Sequence, residues 1–268
     1  MALAKIWTIA YRDLGRNRRR TIFSLIAVAM GLALLLVLHG YIAGIMDDTL
    51  ENNIRLLTGH VQVQAESYDA DKVSLQWPDL LNNPETIVAQ AAAMPQVEAA
   101  AQVLWATGIL STIDDSSGVR ITGMDTASPL NQHVRDGMVA GDFLAADDRG
   151  GVLLGQRLAD SFGVTVGDRV SLTLVDGEGE PDEGIFDVRG LFSTGVVTYD
   201  ENTVFLPISR AQAFARAGNR ASAVVILLHN KDDADGVAAA LSSPGVIAKT
   251  WEVLNQVFLQ AFETGLAF

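Results

Sequence analysis

The chain has no cysteine, so any chemistry it performed would fall to its carboxylates, hydroxyls and four histidines. Asp176, Gly177, Glu178, Gly179, Glu180, Pro181, Asp182 and Glu183 form the densest acidic run. Such a loop could hold Ca²⁺, but the run lacks the alternating D-x-[DN]-x-[DN]-G order of a calcium loop, so a solvated hairpin turn is expected. Asp232, Asp233 and Asp235 invite the same idea, and a helix N-terminus that attracts acids through its dipole explains them more simply. His39, His60, His133 and His229 are scattered, with no H-E-x-x-H among them. No G-x-x-x-x-G-K-[ST] is present to cradle a triphosphate, and Gly177-Glu178-Gly179 lacks the third glycine of a dinucleotide fingerprint. No G-x-S-x-G occurs either, since Gly190-Leu191-Phe192-Ser193-Thr194-Gly195 fails the spacing. The expectation is a chain with no catalytic residue, no bound metal and no cofactor.

The element that positions everything else is the run Thr21–Met46, which contains no Asp, Glu, Lys or Arg. At about 1.5 Å per residue its 26 residues reach about 39 Å as a helix, more than the roughly 30 Å hydrocarbon core requires. Backbone in lipid must satisfy its own hydrogen bonds, which demands a helix. Six basic side chains and only one acidic one lie in residues 1–20, while Asp47, Asp48 and Glu51 follow the run. The basic flank stays in the cytoplasm, so residues after Met46 are expected outside. The run is too long for a signal peptide and its exit, Ile45-Met46-Asp47-Asp48, is no cleavage site, so an uncleaved anchor is expected. Within it Ala27 and Gly31, and Gly40 and Gly44, are small residues four apart that let another helix approach closely. His39 reads as a donor between helices.

The rest is acidic. Of the formal charge of −13, the first twenty residues carry +5, leaving −18 for residues 21–268. Nucleic acid is therefore excluded as a partner, since phosphate binding needs a basic face. The basic arm is assigned to topology and anionic lipid, with Leu3, Ile6, Trp7, Ala10 and Leu14 forming the apolar face of an interfacial helix.

Beyond the span, Leu50, Ile54 and Leu57 continue an apolar stripe to Gly59, a C-cap candidate. Thr21–Thr58 as one rod would be about 57 Å long, a stalk able to carry movement out of the bilayer. His60–Ala65 alternates as a strand. Asn83 is expected to cap a helix over PETIVAQAAAM, with Pro84 at its first position; Val97 then leads to a strand over Val103–Leu110. The same order returns near the other end: strand Ala223–Leu228, helix Asp232–Leu241, Pro244-Gly245, and a strand from Val246. Two βαβ-like halves around an insertion predict a split ferredoxin-like subdomain of α+β class. The insertion, about 108–222, reads as β-rich, with strands at Ile109–Ile113, Val119–Met124, Val152–Leu154, Arg169–Val175, Ile185–Phe192 and Thr203–Pro207. Helices are expected over Gln156–Phe162 and, capped by Ser209, over Ser209–Ala217. Trp251, Leu254, Phe258, Phe262 and Leu266 predict a second stalk helix returning to the bilayer.

Several stretches resemble a known family. Ala10-Tyr11-Arg12-Asp13-Leu14-x-Arg16-Asn17-x-Arg19-Arg20-Thr21, Val152-Leu153-Leu154-Gly155 through Gly163-Val164-x-Val166-Gly167-Asp168-x-Val170, Phe186-x-Val188-x-Gly190-x-Phe192-x-Thr194-Gly195 with Tyr199-Asp200, and Ala211-Gln212 are similar to the MacB/FtsX-type ABC transporter permeases. Within these the lipoprotein-releasing permeases of the LolC/LolE type match best. The resemblance implies a cytoplasmic segment at 1–20, a transmembrane helix at 21–46, a stalk at 47–59, a periplasmic MacB-like core domain at 60–250 and a second stalk at 251–268. It implies an inner-membrane permease that couples a separate ABC ATPase to a periplasmic domain, pairs with a second copy or a paralogue, contacts membrane lipid, and passes a lipoprotein to a periplasmic carrier. ATP hydrolysis would sit on the partner chain. By that comparison the chain is expected to be a fragment ending before a second span. The loop Asp176–Glu183 falls where one family member grips the carrier, although here it is short and acidic. A single-span anchored binding or sensor module is the alternative, and an anchored hydrolase has only scattered Ser, His and Asp behind it.

Overall fold

The computed structural model describes residues 18–70 and 72–260. The amphipathic basic arm and the positions Phe262 and Leu266 lie outside these residues. The chain divides into two units between Glu51 and Asn52.

From Arg18 onward the first unit is helical. α1 spans Arg18–Asn53, with no buried residue along it. The stretch Arg18–Thr58 is long and apolar enough to cross a membrane, with a mean hydropathy of 2.7 over its best window. Apolar residues surround the whole circumference, as a helix bathed in lipid requires.

The second unit opens with a single π-helical turn, Ile54–Thr58, closed by Gly59. Then follow β1 (Val61–Ala65), α2 (Pro84–Ala92), β2 (Val97–Ser111), β3 (Ser116–Met124), α3 (Gln132–Asp136), β4 (Met138–Gly141) and β5 (Gly151–Gly155). Next come α4 (Gln156–Phe162), β6 (Arg169–Val175), β7 (Pro181–Phe192), α5 (Val197–Asp200), β8 (Thr203–Pro207) and α6 (Ile208–Phe214). The unit continues with β9 (Ala223–Leu228), α7 (Ala234–Leu241), β10 (Val246–Thr250) and α8 (Trp251–Leu254).

The ferredoxin-like subdomain is present. β10, β1, β9 and β2 lie side by side, every neighbour antiparallel. In chain order these are fourth, first, third and second, the arrangement of a βαββαβ unit opened between its second and third strands. Val61, Val63, Val224 and Ile226 pack one sheet face against α2 and α7 through Ala91, Val237 and Leu241.

The inserted strands do more than add β-content. β2 is a single 15-residue strand. Its first half pairs with β9, and from Gly108 it pairs with β6. β2, β3, β8, β5, β7 and β6 then pair in succession and close on β2, a six-stranded barrel. Closure leaves no open edge around the ring. Every second residue points inward: Leu110, Ile121, Leu154, Leu172, Phe186 and Val204 are all at most 1% exposed and share one core. At the crossing, a Cβ on Gly108 would lie 2.6 Å from the Thr173 carbonyl oxygen, so only glycine lets the two strands approach there.

Four local expectations need correction. Asn83 sits at φ +52 and its side chain makes no capping bond, so α2 starts on Pro84 alone. Ser209 is not a cap, because the helix begins one residue earlier, at Ile208 after Pro207. β7 begins at Pro181, which shortens the acidic loop to Asp176–Glu180. The returning helix is broken: α8 stops at Leu254, Asn255 turns at φ −107, and helix resumes over 256–260.

Candidate functional site: the stalk root

Where the chain enters the second unit, its backbone is stitched to two distant segments. Gly59 N–H donates to the Ile54 carbonyl at 2.7 Å, closing the π turn. His60 N–H donates to Ile226 O of β9 at 2.9 Å, and Trp251 N–H donates to His60 O at 2.9 Å. The His60 imidazole takes part as well, its Nδ1 accepting from Leu228 N–H at 2.9 Å. Gly59 must be glycine here. It holds φ +66 with Val225 Cγ1 2.6 Å and Ile226 O 2.9 Å from where a Cβ would stand.

Asn255 locks the arrangement from the returning side. It is 3% exposed. Its Oδ1 accepts from Asn53 Nδ2, while its own Nδ2 donates to Trp251 O at 2.8 Å and, more weakly, towards Thr58 Oγ1 at 3.4 Å. These bonds meet at the residue where the returning helix is interrupted, at φ −107.

Apolar packing completes the seat. Ile54 is 1% exposed. Leu56 and Leu57 pack on a cluster of Met124, Leu153, Phe192, Tyr199 and Phe205 beside the barrel. Phe192 and Phe205 rings meet at 5.2 Å, and Tyr199 OH donates to Leu56 O at 3.3 Å. Burial pushes the Tyr199 phenol above its ordinary value, against a smaller downward pull from Arg120, so it stays a neutral donor. Tyr199 stands on α5, and Asp200 at the end of that helix ties down the turn that precedes it. The Asp200 carboxylate, 1% exposed, accepts from Ser193 Oγ at 2.9 Å, Thr194 N–H at 2.9 Å and Thr194 Oγ1 at 2.8 Å. What these bonds and contacts do is fix the start of the second unit to β9 and to the returning segment.

The acidic hairpin lies elsewhere and is less free than its composition suggests. Asp176 is 3% exposed. Its Oδ1 accepts from Glu178 N–H at 2.9 Å and Glu180 N–H at 3.0 Å, while Arg216 Nε stands 3.1 Å from Oδ2. Burial alone would raise this carboxyl. The amides of Glu180 and Glu178, the Arg216 charge and the Gly179 amide outweigh it and hold the group below the usual carboxylate range. Glu178 pairs with Arg216 Nη1 at 2.9 Å, and Glu183 accepts from Ser171 Oγ at 2.5 Å. Gly177 N–H is tied to Ala215 O at 2.9 Å, Gly179 N–H to Asp176 O at 3.0 Å, and Pro181 and Asp182 already pair within β7. Among the described residues, no group of three or more His, Asp or Glu could hold a metal ion.

Of the small residues in the span, Gly31, Gly40 and Gly44 would have nothing within 4 Å of an added Cβ, and Ala27 is exposed. At about 100° per residue the Ala27/Gly31 pair and the Gly40/Gly44 pair face nearly opposite sides of α1. Sequence reasoning named Tyr199 only within a family motif, and missed Asn53 and Asn255. A lone Asn amid the apolar spacing of Trp251, Leu254 and Phe258 was the available signal.

The described residues define a class: a long apolar helix in the first unit, and a mixed α+β domain in the second. The model of the MacB-like periplasmic core domain matches residues 21–243, and the chain belongs to that family. It is 24% identical over 254 residues to the lipoprotein-releasing system transmembrane protein LolC of Neisseria meningitidis serogroup B (strain MC58). That alignment covers 91% of this chain and 58% of the relative, so the chain spans little more than half its relative's length. Among solved structures it is similar to the periplasmic region of MacB from Actinobacillus actinomycetemcomitans, at 12% identity and a TM-score of 0.49, covering 78% of this chain and 97% of the other. It is also similar to the extracellular domain of the noncanonic ABC-type transporter YknZ from Gram-positive bacteria, at 11% identity and a TM-score of 0.48, covering 71% and 100%.

Proposed function

We propose that this chain is the permease subunit of an ABC transporter that works by mechanotransmission, with α1 anchored in the inner membrane, residues 1–20 in the cytoplasm and the domain from residue 60 in the periplasm. A separate ATPase supplies the energy, and a second permease, identical or paralogous, supplies the other half of the transporter. The family match over both the apolar helix and the domain is the observation that carries this reading. The start of the second unit supports it: Asn53 bonds to Asn255, and the His60 backbone bonds to β9 and to Trp251, so this segment is tied to the returning one.

Lipoprotein release is the cargo reading, supported by the LolC relative. The hairpin Asp176–Glu183 is the candidate contact for a periplasmic carrier, with Asp182 and Glu183 on its β7 side and Glu178 at its tip. The chain itself has no catalytic role in this scheme. The test is co-purification from native membranes. The permease should retain an ABC ATPase through detergent extraction and change its ATP hydrolysis rate. A hydrolysis rate indifferent to the permease would overturn the proposal.

A further inference from the structure

A groove of about 470 Å³ runs beside α6, lined by Trp77, Glu178, Ser209, Gln212, Arg216 and Asn219. Its floor is an indole ring held rigidly in the open. Trp77 is 47% exposed although its ring is fixed on two sides. Nε1 donates to Arg216 O at 3.0 Å, and the Arg220 guanidinium lies 4.3 Å from the ring centroid. Pro78 follows inside a 3₁₀ turn over Trp77–Asp79. An aromatic side chain already immobilised in the free protein loses little entropy on binding. Even with the Arg220 guanidinium over the ring, nearly half of the residue stays exposed, and it lines the groove.

The rim has unspent polar groups. Among the described residues, the side chains of Ser209 and Asn219 make no intramolecular hydrogen bond. Gln212 commits only its Nε2, to Arg220 O at 3.0 Å, leaving Oε1 as an acceptor. Glu178 and Arg216 neutralise one another at 2.9 Å, so the groove carries both donors and acceptors with no net charge. One flat aromatic face ringed by neutral donors and acceptors is complementary to a pyranose. A sugar ring offers a patch of C–H bonds to the negative face of the indole, and hydroxyls that both donate and accept at its rim. A proline-rich peptide would need an aromatic-lined groove, and Trp77 is the only aromatic lining this one. We infer that the Trp77 platform is a carbohydrate-binding subsite that takes one or two pyranose units of a neutral oligosaccharide.

The test uses the whole chain in lipid nanodiscs, free of glycoside detergents, titrated with cellotetraose and chitotetraose by calorimetry. Binding of either sugar in the millimolar range or tighter is expected, weakened at least about tenfold in Trp77→Ala. The Ser209→Ala/Asn219→Ala double variant removes only exposed groups that hold nothing in the fold, so it should weaken binding several-fold with an unchanged unfolding midpoint. Absence of binding by folded protein up to about 10 mM of both sugars would overturn the inference. So would sugar binding indifferent to both variants, or binding of a proline-rich decapeptide that Trp77→Ala abolishes while neither sugar binds.

Discussion

Replacing Asn255 with alanine should release the stalk root. The side chain is almost fully buried and takes part in three bonds: from Asn53 Nδ2, to Trp251 O at 2.8 Å, and a long one to Thr58 Oγ1 at 3.4 Å. A hydrogen bond of ordinary geometry contributes about 1 kcal/mol net, and a half-buried donor left without its acceptor costs about as much again. The backbone bonds at this residue, Asn255 N–H to Trp251 O and Leu259 N–H to Asn255 O, both at 2.9 Å, survive the change. Counting the Asn53 and Trp251 bonds fully and the Thr58 bond at little gives a loss of about 2–3 kcal/mol. Urea unfolding of the full chain in micelles, followed by tryptophan fluorescence, should show the midpoint falling by roughly 1 M at an m-value of about 2–3 kcal/mol per M. The Asn53→Ala/Asn255→Ala cycle should return a coupling of about 1 kcal/mol. A loss below about 0.5 kcal/mol, or additive single effects, would show that the two asparagines do not act as one clamp.

Gly59→Ala forces a Cβ against Val225 Cγ1 and the Ile226 backbone at φ +66, and should cost about 2 kcal/mol or more in the same unfolding assay. Gly40→Leu or Gly44→Leu should weaken assembly with a partner helix by on the order of 1 kcal/mol, read as reduced cross-linked dimer; unchanged cross-linking would make those glycines incidental. Stability should fall with acid. Burial alone would raise Asp148, but Arg189 at 2.9 Å and the Gly150 and Gly151 amides outweigh it and hold the carboxyl low, as the groups around Asp176 do there. A carboxyl lowered in the folded state stabilises above its unfolded value, near about 4, and that contribution disappears as pH falls through the folded value. Midpoints at pH 7, 5 and 3 should therefore decline below about pH 4, and less steeply in Asp148→Asn.

The parts of this fold written in local pattern were legible. Arg169–Val175, Thr203–Pro207 and Ala223–Leu228 alternate or run apolar between turn residues, and Gln156–Phe162 ends on Gly163 at φ +63. The two strand–helix–strand halves were legible because Pro95 and Pro244 each follow the helix and stand two residues before the valine that opens the next strand. Barrel closure was not, since it depends on Gly108–Ser111 meeting Ser171–Leu174 some sixty residues on, a pairing that no local period encodes. The acidic hairpin misled for a related reason: nothing near Asp176 in sequence announces Arg216, which half-neutralises it. Asn53 and Asn255 stand 202 residues apart. Each alone looks like an ordinary polar residue near a helix end, and only the folded chain makes them partners.

The most direct measurement takes the transporter proposed above, reconstituted with the proposed ATPase and carrying Asn255→Ala, and separates hydrolysis from export. A root that transmits stalk movement predicts ATP hydrolysis within about twofold of wild type while cargo release falls at least about tenfold. Release at the wild-type rate from a complex whose root is demonstrably loosened would contradict it.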